Sequence, residues 1–159
     1  MPTYPSIQIC SLEAAREIDH SIYDGVITIE DSTIEDPLRI DSSECPQLVL
    51  CFDDISQPVD NYILPTESHI KRALQFADEL GDGSLLIHCH AGVSRSSGIA
   101  LAIIASGRGK GHEKESVKEL EKINPNCTPN KLIVWFSHEI LGREGKLFKI
   151  ANEMVWLND

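Results

Sequence analysis

An α/β domain is predicted, with a central, mainly parallel sheet of about four or five strands flanked by helices and a helical C-terminal half. Three observations lead to it. Four short runs rich in Ile, Val and Leu have the composition of strands buried on both faces: IQIC at 7–10, GVITI at 25–29, QLVLCF at 47–52 and SLLIHC at 84–89. Helical periodicity separates these runs, which is the alternation that builds parallel sheets. After residue 90 the patterns are helical only.

The elements follow in order. Ser11 is placed to cap a first helix over 12–18, where Leu12, Ala15 and Ile18 recur at helical spacing, and Gly25 and Val26 restart a strand. Ile70, Ala73, Leu74, Ala77 and Leu80 mark one face of a helix that follows Pro65 and Thr66 and stops at Gly81. The run SGIALAIIAS at 97–106 is apolar nearly all round and should be a buried central helix. Three further helices are expected. The first, 112–123, ends at Asn124 and Pro125; the second, 130–141, has Thr128 as cap and Pro129 in its first turn; Gly142 and Gly145 precede the third, 146–156.

The chain has 159 residues, 42% hydrophobic and 25% charged, enough for one ordinary core, and no linker-like tract divides it, so a single domain over 1–159 is expected. A net charge of −11 offers no basic surface to a nucleic acid or an anionic membrane, and neither partner is expected. No apolar run approaches the roughly 18 residues of a spanning helix, and the start, MPTYPSIQIC, lacks a basic segment followed by an apolar stretch. A cytoplasmic location is therefore expected. Five cysteines, at 10, 45, 51, 89 and 127, form an odd set without a CxxC pair and suit neither a disulfide framework nor a zinc ribbon.

Chemistry concentrates in LLIHCHAGVSRSSGIALAII, where His88, Cys89 and Arg95 bracket a small loop between a buried strand and a buried helix. Such a loop can turn backbone N–H groups inward, where they and the helix dipole hold a phosphate-sized anion. Gly92 permits the tight turn. The same partial charges stabilise a thiolate at Cys89, and the planar guanidinium of Arg95 can grip two phosphoryl oxygens.

HCHAGVSRSS resembles the HCxxGxxR[ST] signature loop of the cysteine-based protein tyrosine phosphatases, and its wording is closest to the dual-specificity branch. The resemblance covers the histidine before the cysteine, the six-residue step from Cys89 to Arg95, the internal glycine and Ser96 after the arginine, and it extends over about 47–107. It implies that Cys89 is the nucleophile and that Arg95 binds the phosphoryl group. The backbone amides of His90, Ala91, Gly92, Val93, Ser94 and Arg95 would cradle its oxygens. Ser96 would assist the departing thiolate, and His88 would order the loop. No cofactor or metal is implied, and the substrate would be a phosphorylated protein or a small phosphomonoester.

The leaving oxygen needs a proton donor, and LCFDDISQP supplies two candidates. The resemblance favours Asp54, since relatives place the acid after an aromatic and an acidic residue; Asp53 remains the alternative. Side chains adjacent at a strand end point in opposite directions, so only one should reach the cleft.

Other readings were weighed against this one. Cys89 could be core filler, or the sulfur carrier of a rhodanese-like loop, although Arg95 and Ser96 suit phosphate better. His88 and His90, with Cys89 or His112, have metal-like spacing, but alternate strand residues face opposite ways. His20, His69, His112 and His138 are expected at the surface. Trp135, Phe136, Ile140 and Leu141 read as ordinary core, and EDSTIED at 30–36 as a solvated face. Cys51 is either a core filler or a thiol able to approach Cys89. Lipid and inositol phosphatases tend to carry lysines inside the loop, where this chain has His90, Ala91, Val93 and Ser94, so that branch fits less well. A phosphatase of a small phosphorylated metabolite or nucleotide is the runner-up, and a phosphate-binding interaction module the non-enzymatic alternative.

Overall fold

In the computed structural model, which describes residues 3–156, four strands form one parallel sheet: β1 (Ser6–Cys10), β2 (Gly25–Glu30), β3 (Gln47–Cys51) and β4 (Ser84–His88), in the order β1-β4-β2-β3. The architecture is the predicted one, with differences that follow from position. Burial on both faces holds for β2 and for most of β4. The edge strands β1 and β3 are only partly covered, since each has a neighbour on one side alone.

Two apolar clusters hold the sheet in place. On one face Ile27, Ile29, Leu50, Leu85 and Ile87 join the helical core; on the other Val26 and Leu86 meet Tyr23 and Cys45. The alternation along β2 and β4 is the period-two consequence of strand geometry. The smaller cluster also takes in Cys10, Ile18 and Ile40, so the first connection and the segment before β3 cover the second face.

Among the described residues six α-helices complete the fold: α1 (Leu12–Glu17), α2 (Glu67–Leu80), α3 (Arg95–Arg108), α4 (Glu113–Ile123), α5 (Lys131–Ile140) and α6 (Lys146–Ala151). None is long and apolar enough to cross a membrane. Ser11 caps α1 by accepting from the Ala14 N–H at 3.1 Å. Thr66 caps α2 in a reciprocal arrangement with His69, and Gly81, at φ +60°, ends that helix. The central helix α3 is buried continuously from Arg95 to Ala105 and packs on α2, α4, α5 and the sheet. It begins two residues before the predicted apolar run, so Arg95 and Ser96 form its first turn.

Four expectations need correction. The cap of α5 is Asn130, whose side chain accepts from the Ile133 N–H at 3.1 Å; Thr128 and Pro129 precede the helix. The last helix closes at Ala151 and continues as a π-helical turn, Asn152–Trp156. Of the histidines expected at the surface, only His112 is exposed. His138 is buried and accepts from the Gly145 N–H at 3.2 Å, His69 stacks on Phe52 at 4.7 Å between ring centroids, and His20 bonds the Ala15 carbonyl at 2.7 Å. Each fills hydrogen-bond capacity left by a helix end or turn, a use the residue type alone does not announce. Trp135, read as core, is 43% exposed, although its ring meets Phe148 and His138 edge-on.

Candidate active site

The sheet delivers Cys89 to its carboxyl edge, where open parallel sheets place their ligands. Cys89 follows β4 directly and is 2% exposed. Its Sγ accepts from the Gly92 N–H at 3.3 Å and lies 3.2 Å from Ser96 Oγ. Gly92 sits at φ +75°, and a Cβ there would fall 2.6–2.8 Å from the backbone of Cys10 and Ser11. Strain and collision therefore act together, and Gly92→Ala is expected to disrupt the loop and lower the melting temperature by several degrees. A thermal scan checks this.

The loop is tied down from outside. The carbonyl of His90 accepts from the Leu12 N–H, that of Val93 from the Thr128 N–H and that of Ser94 from the Asn130 N–H, each at 3.1 Å. Asn124 Nδ2 donates to the Gly92 carbonyl at 2.8 Å and to Ser97 Oγ at 3.1 Å. In a planar trans peptide the carbonyl and the following N–H point in opposite directions. With these carbonyls engaged by the scaffold, the N–H groups of Ala91, Val93, Ser94 and Arg95 are turned the other way. Cys89, His90, Ala91, Val93, Ser94 and Arg95 line a cleft of about 480 Å³, closed by Asp31, Asp54 and Thr128.

Arg95 is buried at the cleft wall. Its Nη1 donates to the Phe52 carbonyl at 2.9 Å and to Asp31 Oδ1 at 2.7 Å. Both bonds use Nη1, so Nε and Nη2 take part in neither of them. Asp31 corrects the sequence reading, because one member of the supposed solvated run pairs with the arginine of the cleft, and His90 Nδ1 lies 3.9 Å from the same carboxylate. The available signal was position: Asp31 immediately follows a buried strand, at the edge where the site lies. Its neighbour Glu30 pairs instead with Arg39 at 2.9 Å.

The two candidate acids occupy different surroundings. Asp53 is buried, and its carboxylate accepts from the Ser32 N–H at 3.0 Å and from the Ile63 N–H at 2.8 Å. Burial works against its ionisation, but these bonds and the Arg95 charge outweigh burial and hold the carboxyl below its usual range. Asp54 is exposed and lines the cleft. Its Oδ1 accepts from Ser94 Oγ at 2.7 Å and from Asn130 Nδ2 at 3.0 Å, and Asn130 also donates to the Ile55 carbonyl at 3.1 Å. Asn130 thus caps α5 through its oxygen and holds the Asp54 loop through its nitrogen. In sequence Asn124 reads only as a helix end and Asn130 is not singled out, since an isolated asparagine carries no chemical signature.

His88 is buried on β4, bonded through Nε2 to Thr28 Oγ1 at 2.8 Å, and Thr28 accepts in turn from Gln47 Nε2 at 2.7 Å. Burial is the main cause lowering its pKa from 6.5 to about 4. Above about pH 6.5 the imidazole is neutral in folded and unfolded chains alike. Between about 6.5 and about 4 only the unfolded chain takes up the proton, so stability falls as pH falls through that window, by about 3 kcal/mol in all. Urea unfolding at pH 7 and pH 4.5 should show this loss, and His88→Gln should lessen it; equal pH slopes in both proteins would refute the assignment.

The suggested approach of Cys51 to Cys89 is corrected by topology. Cys51 ends β3, and β2 lies between β3 and the strand leading to Cys89. Two strand spacings of about 4.8 Å exceed the Cα separation of about 7 Å that a disulfide can span. The cysteine on the adjacent strand is Cys10, opposite His88, and burial raises its thiol pKa to about 11.

Comparison with protein families and with curated proteins returns no match. Solved structures do match. The chain superposes on the crystal structure of DUSP15 with a TM-score of 0.67 at 21% identity, covering 94% of this chain and 92% of that one. For Tk-PTP in the active form the TM-score is 0.63 at 18% identity, over 88% and 92%. For PTPMT1 in complex with PI(5)P it is 0.58 at 22% identity, over 87% and 94%. The fold is thus that of the dual-specificity and protein tyrosine phosphatases.

Proposed function

We propose that this chain, which combines the dual-specificity phosphatase fold with an HCHAGVSRSS loop, hydrolyses phosphoric monoesters through a phosphocysteine intermediate, with phosphorylated protein as its main substrate. One observation carries the reading: Cys89, Arg95 and Asp54 converge on the same cleft, from β4, α3 and the loop after β3. A phosphate-binding module has no need for a proton-donating group opposite its thiol.

In the first step Cys89 Sγ attacks phosphorus in line with the ester bond. The S–P bond forms as the P–O bond breaks, and Asp54 gives its proton to the departing oxygen. Arg95 and the inward amides hold the equatorial oxygens, where negative charge is spread in the transition state. In the second step water attacks the phosphocysteine, Asp54 takes the proton from that water, and sulfur leaves as a thiolate. Ser96 Oγ, 3.2 Å from Sγ, donates a hydrogen bond to the leaving sulfur. No metal enters either step.

The test is turnover of an aryl phosphate with a chelator present, across about pH 5 to 7. Steady hydrolysis that phosphate or vanadate inhibits competitively is expected. No turnover anywhere in that range removes the enzyme reading and leaves the binding module.

A further inference from the structure

The catalytic cleft does not end at Asp54. Asp54, Ser94 and Thr128 also border a second cleft of about 580 Å³, formed by Ile55 and Val59 of the Asp54 loop, by Pro129 and Lys131 at the start of α5, and by Trp156 of the π-helical turn. Trp156 is fixed by its Nε1–H, which donates to the Pro129 carbonyl at 2.9 Å, and Lys131 Nζ lies 5.3 Å from the centroid of its ring. Val59 of this lining is 46% exposed, so part of the apolar wall is open to an incoming side chain.

Charge narrows what can lie there. Apart from Arg95, Lys131 is the one lysine or arginine lining either cleft among the described residues, in a chain of net charge −11. An anionic lipid surface meets repulsion from such a body. A small aryl or alkyl phosphate would fill the Cys89 cleft and leave the groove empty. An extended polypeptide advances about 3.3 to 3.6 Å per residue, so residues flanking a phosphorylated one pass from the first cleft directly into the second.

We infer that this groove is a substrate subsite for a residue flanking the phosphorylated one in a protein substrate, with the Trp156–Pro129 wall packing its stem and Lys131 selecting an acidic side chain. The inference rests on the phosphatase reading above and adds sequence preference to it.

The experiment uses phosphotyrosine peptides that differ only in carrying Glu or Lys at the flanking positions, each kcat/KM normalised to the same protein's value on an aryl phosphate. An advantage of about 1.5- to 5-fold for the acidic peptide is expected at low salt, the size an exposed charge pair gives, with a decline as salt rises. Lys131→Glu should abolish or reverse the advantage and Lys131→Arg should keep it. Lys118→Glu, the same charge change out on α4, should leave it at the wild-type value. Equal use of both peptides by the wild type, or an advantage that survives Lys131→Glu, overturns the subsite. So does a soluble inositol phosphate that outperforms every peptide and loses its lead in Lys131→Glu, since the groove would then serve another ligand. Fluorescence anisotropy of the same labelled peptides separates the two claims. Without aryl phosphate turnover the phosphatase reading fails, whereas loss of charge discrimination in binding removes the subsite alone.

Discussion

Cys89→Ser is expected to lower turnover of an aryl phosphate by on the order of 10⁴-fold or more, the scale of losing a covalent nucleophile, while the protein stays folded. The substitution is nearly isosteric, and a serine oxygen can still accept the Gly92 N–H that now reaches Sγ at 3.3 Å. The loop carbonyls remain tied to Leu12, Thr128 and Asn130. What changes is the chemistry: a serine hydroxyl is far less ionised than a thiol, and an alkoxide is a poor group to expel in the second step. Rapid quench of the wild type should also yield a phosphoryl group on the peptide containing Cys89, detected by mass spectrometry, and Cys89→Ser should yield none. Residual activity within about tenfold of wild type would mean that another group attacks phosphorus.

The sheet and the main helices were legible because their signals are local. Apolar runs of four to six residues, Ser11 and Gly81 announced strands, a cap and a helix end that depend on neighbours in sequence. The loop at 88–96 was legible for a related reason: a glycine, a thiol and a guanidinium at fixed spacing within one turn are nearly sufficient to describe it. The supports of that loop were not. Asp31, Asn124 and Asn130 reach it from just past β2, from the end of α4 and from the cap of α5, across sequence separations set by the fold. Asp31 was further hidden by its neighbours, because a carboxylate inside an acidic run looks like solvated surface. The choice between Asp53 and Asp54 lay between these cases. Alternation predicted that they diverge, but only the contacts of Ser32 and Ile63 say which one is held inside.

Those contacts also give the Asp54 loop its anchorage. Asp53 bonds the segment after β2 to the segment before α2, and Asp54 bonds the same loop to Ser94 and Asn130. Two adjacent carboxylates thus divide the work: one fixes the loop from below and the other meets the cleft. In the proposed mechanism such a scaffold would hold the proton donor near the leaving oxygen without burying it, so that the donor could exchange its proton with water between turnovers.

Asp54→Asn is expected to slow hydrolysis by about 10² to 10⁴, the usual contribution of general acid catalysis, with little change in substrate binding. The asparagine oxygen can still accept from Ser94 Oγ and Asn130 Nδ2, so the loop keeps its place and only the proton is lost. The size of the defect should depend on the leaving group. An activated phenol departs almost unaided, whereas an alkyl phosphate or phosphoserine ester needs the proton, so the ratio of wild-type to mutant kcat/KM, which reports the first step alone, should rise with leaving-group basicity. Asp53→Asn supplies the contrast. Its new amide must point an N–H at either Ser32 or Ile63, both of which are donors, so it should lower the melting temperature and slow all esters by a similar factor. If the leaving-group dependence instead appears in Asp53→Asn and is absent from Asp54→Asn, the donor is Asp53 and the loop turns over during the reaction. If neither variant shows it, the proton comes from elsewhere on the same connecting segment, and Asp60 and Glu67 are the carboxylates to replace next.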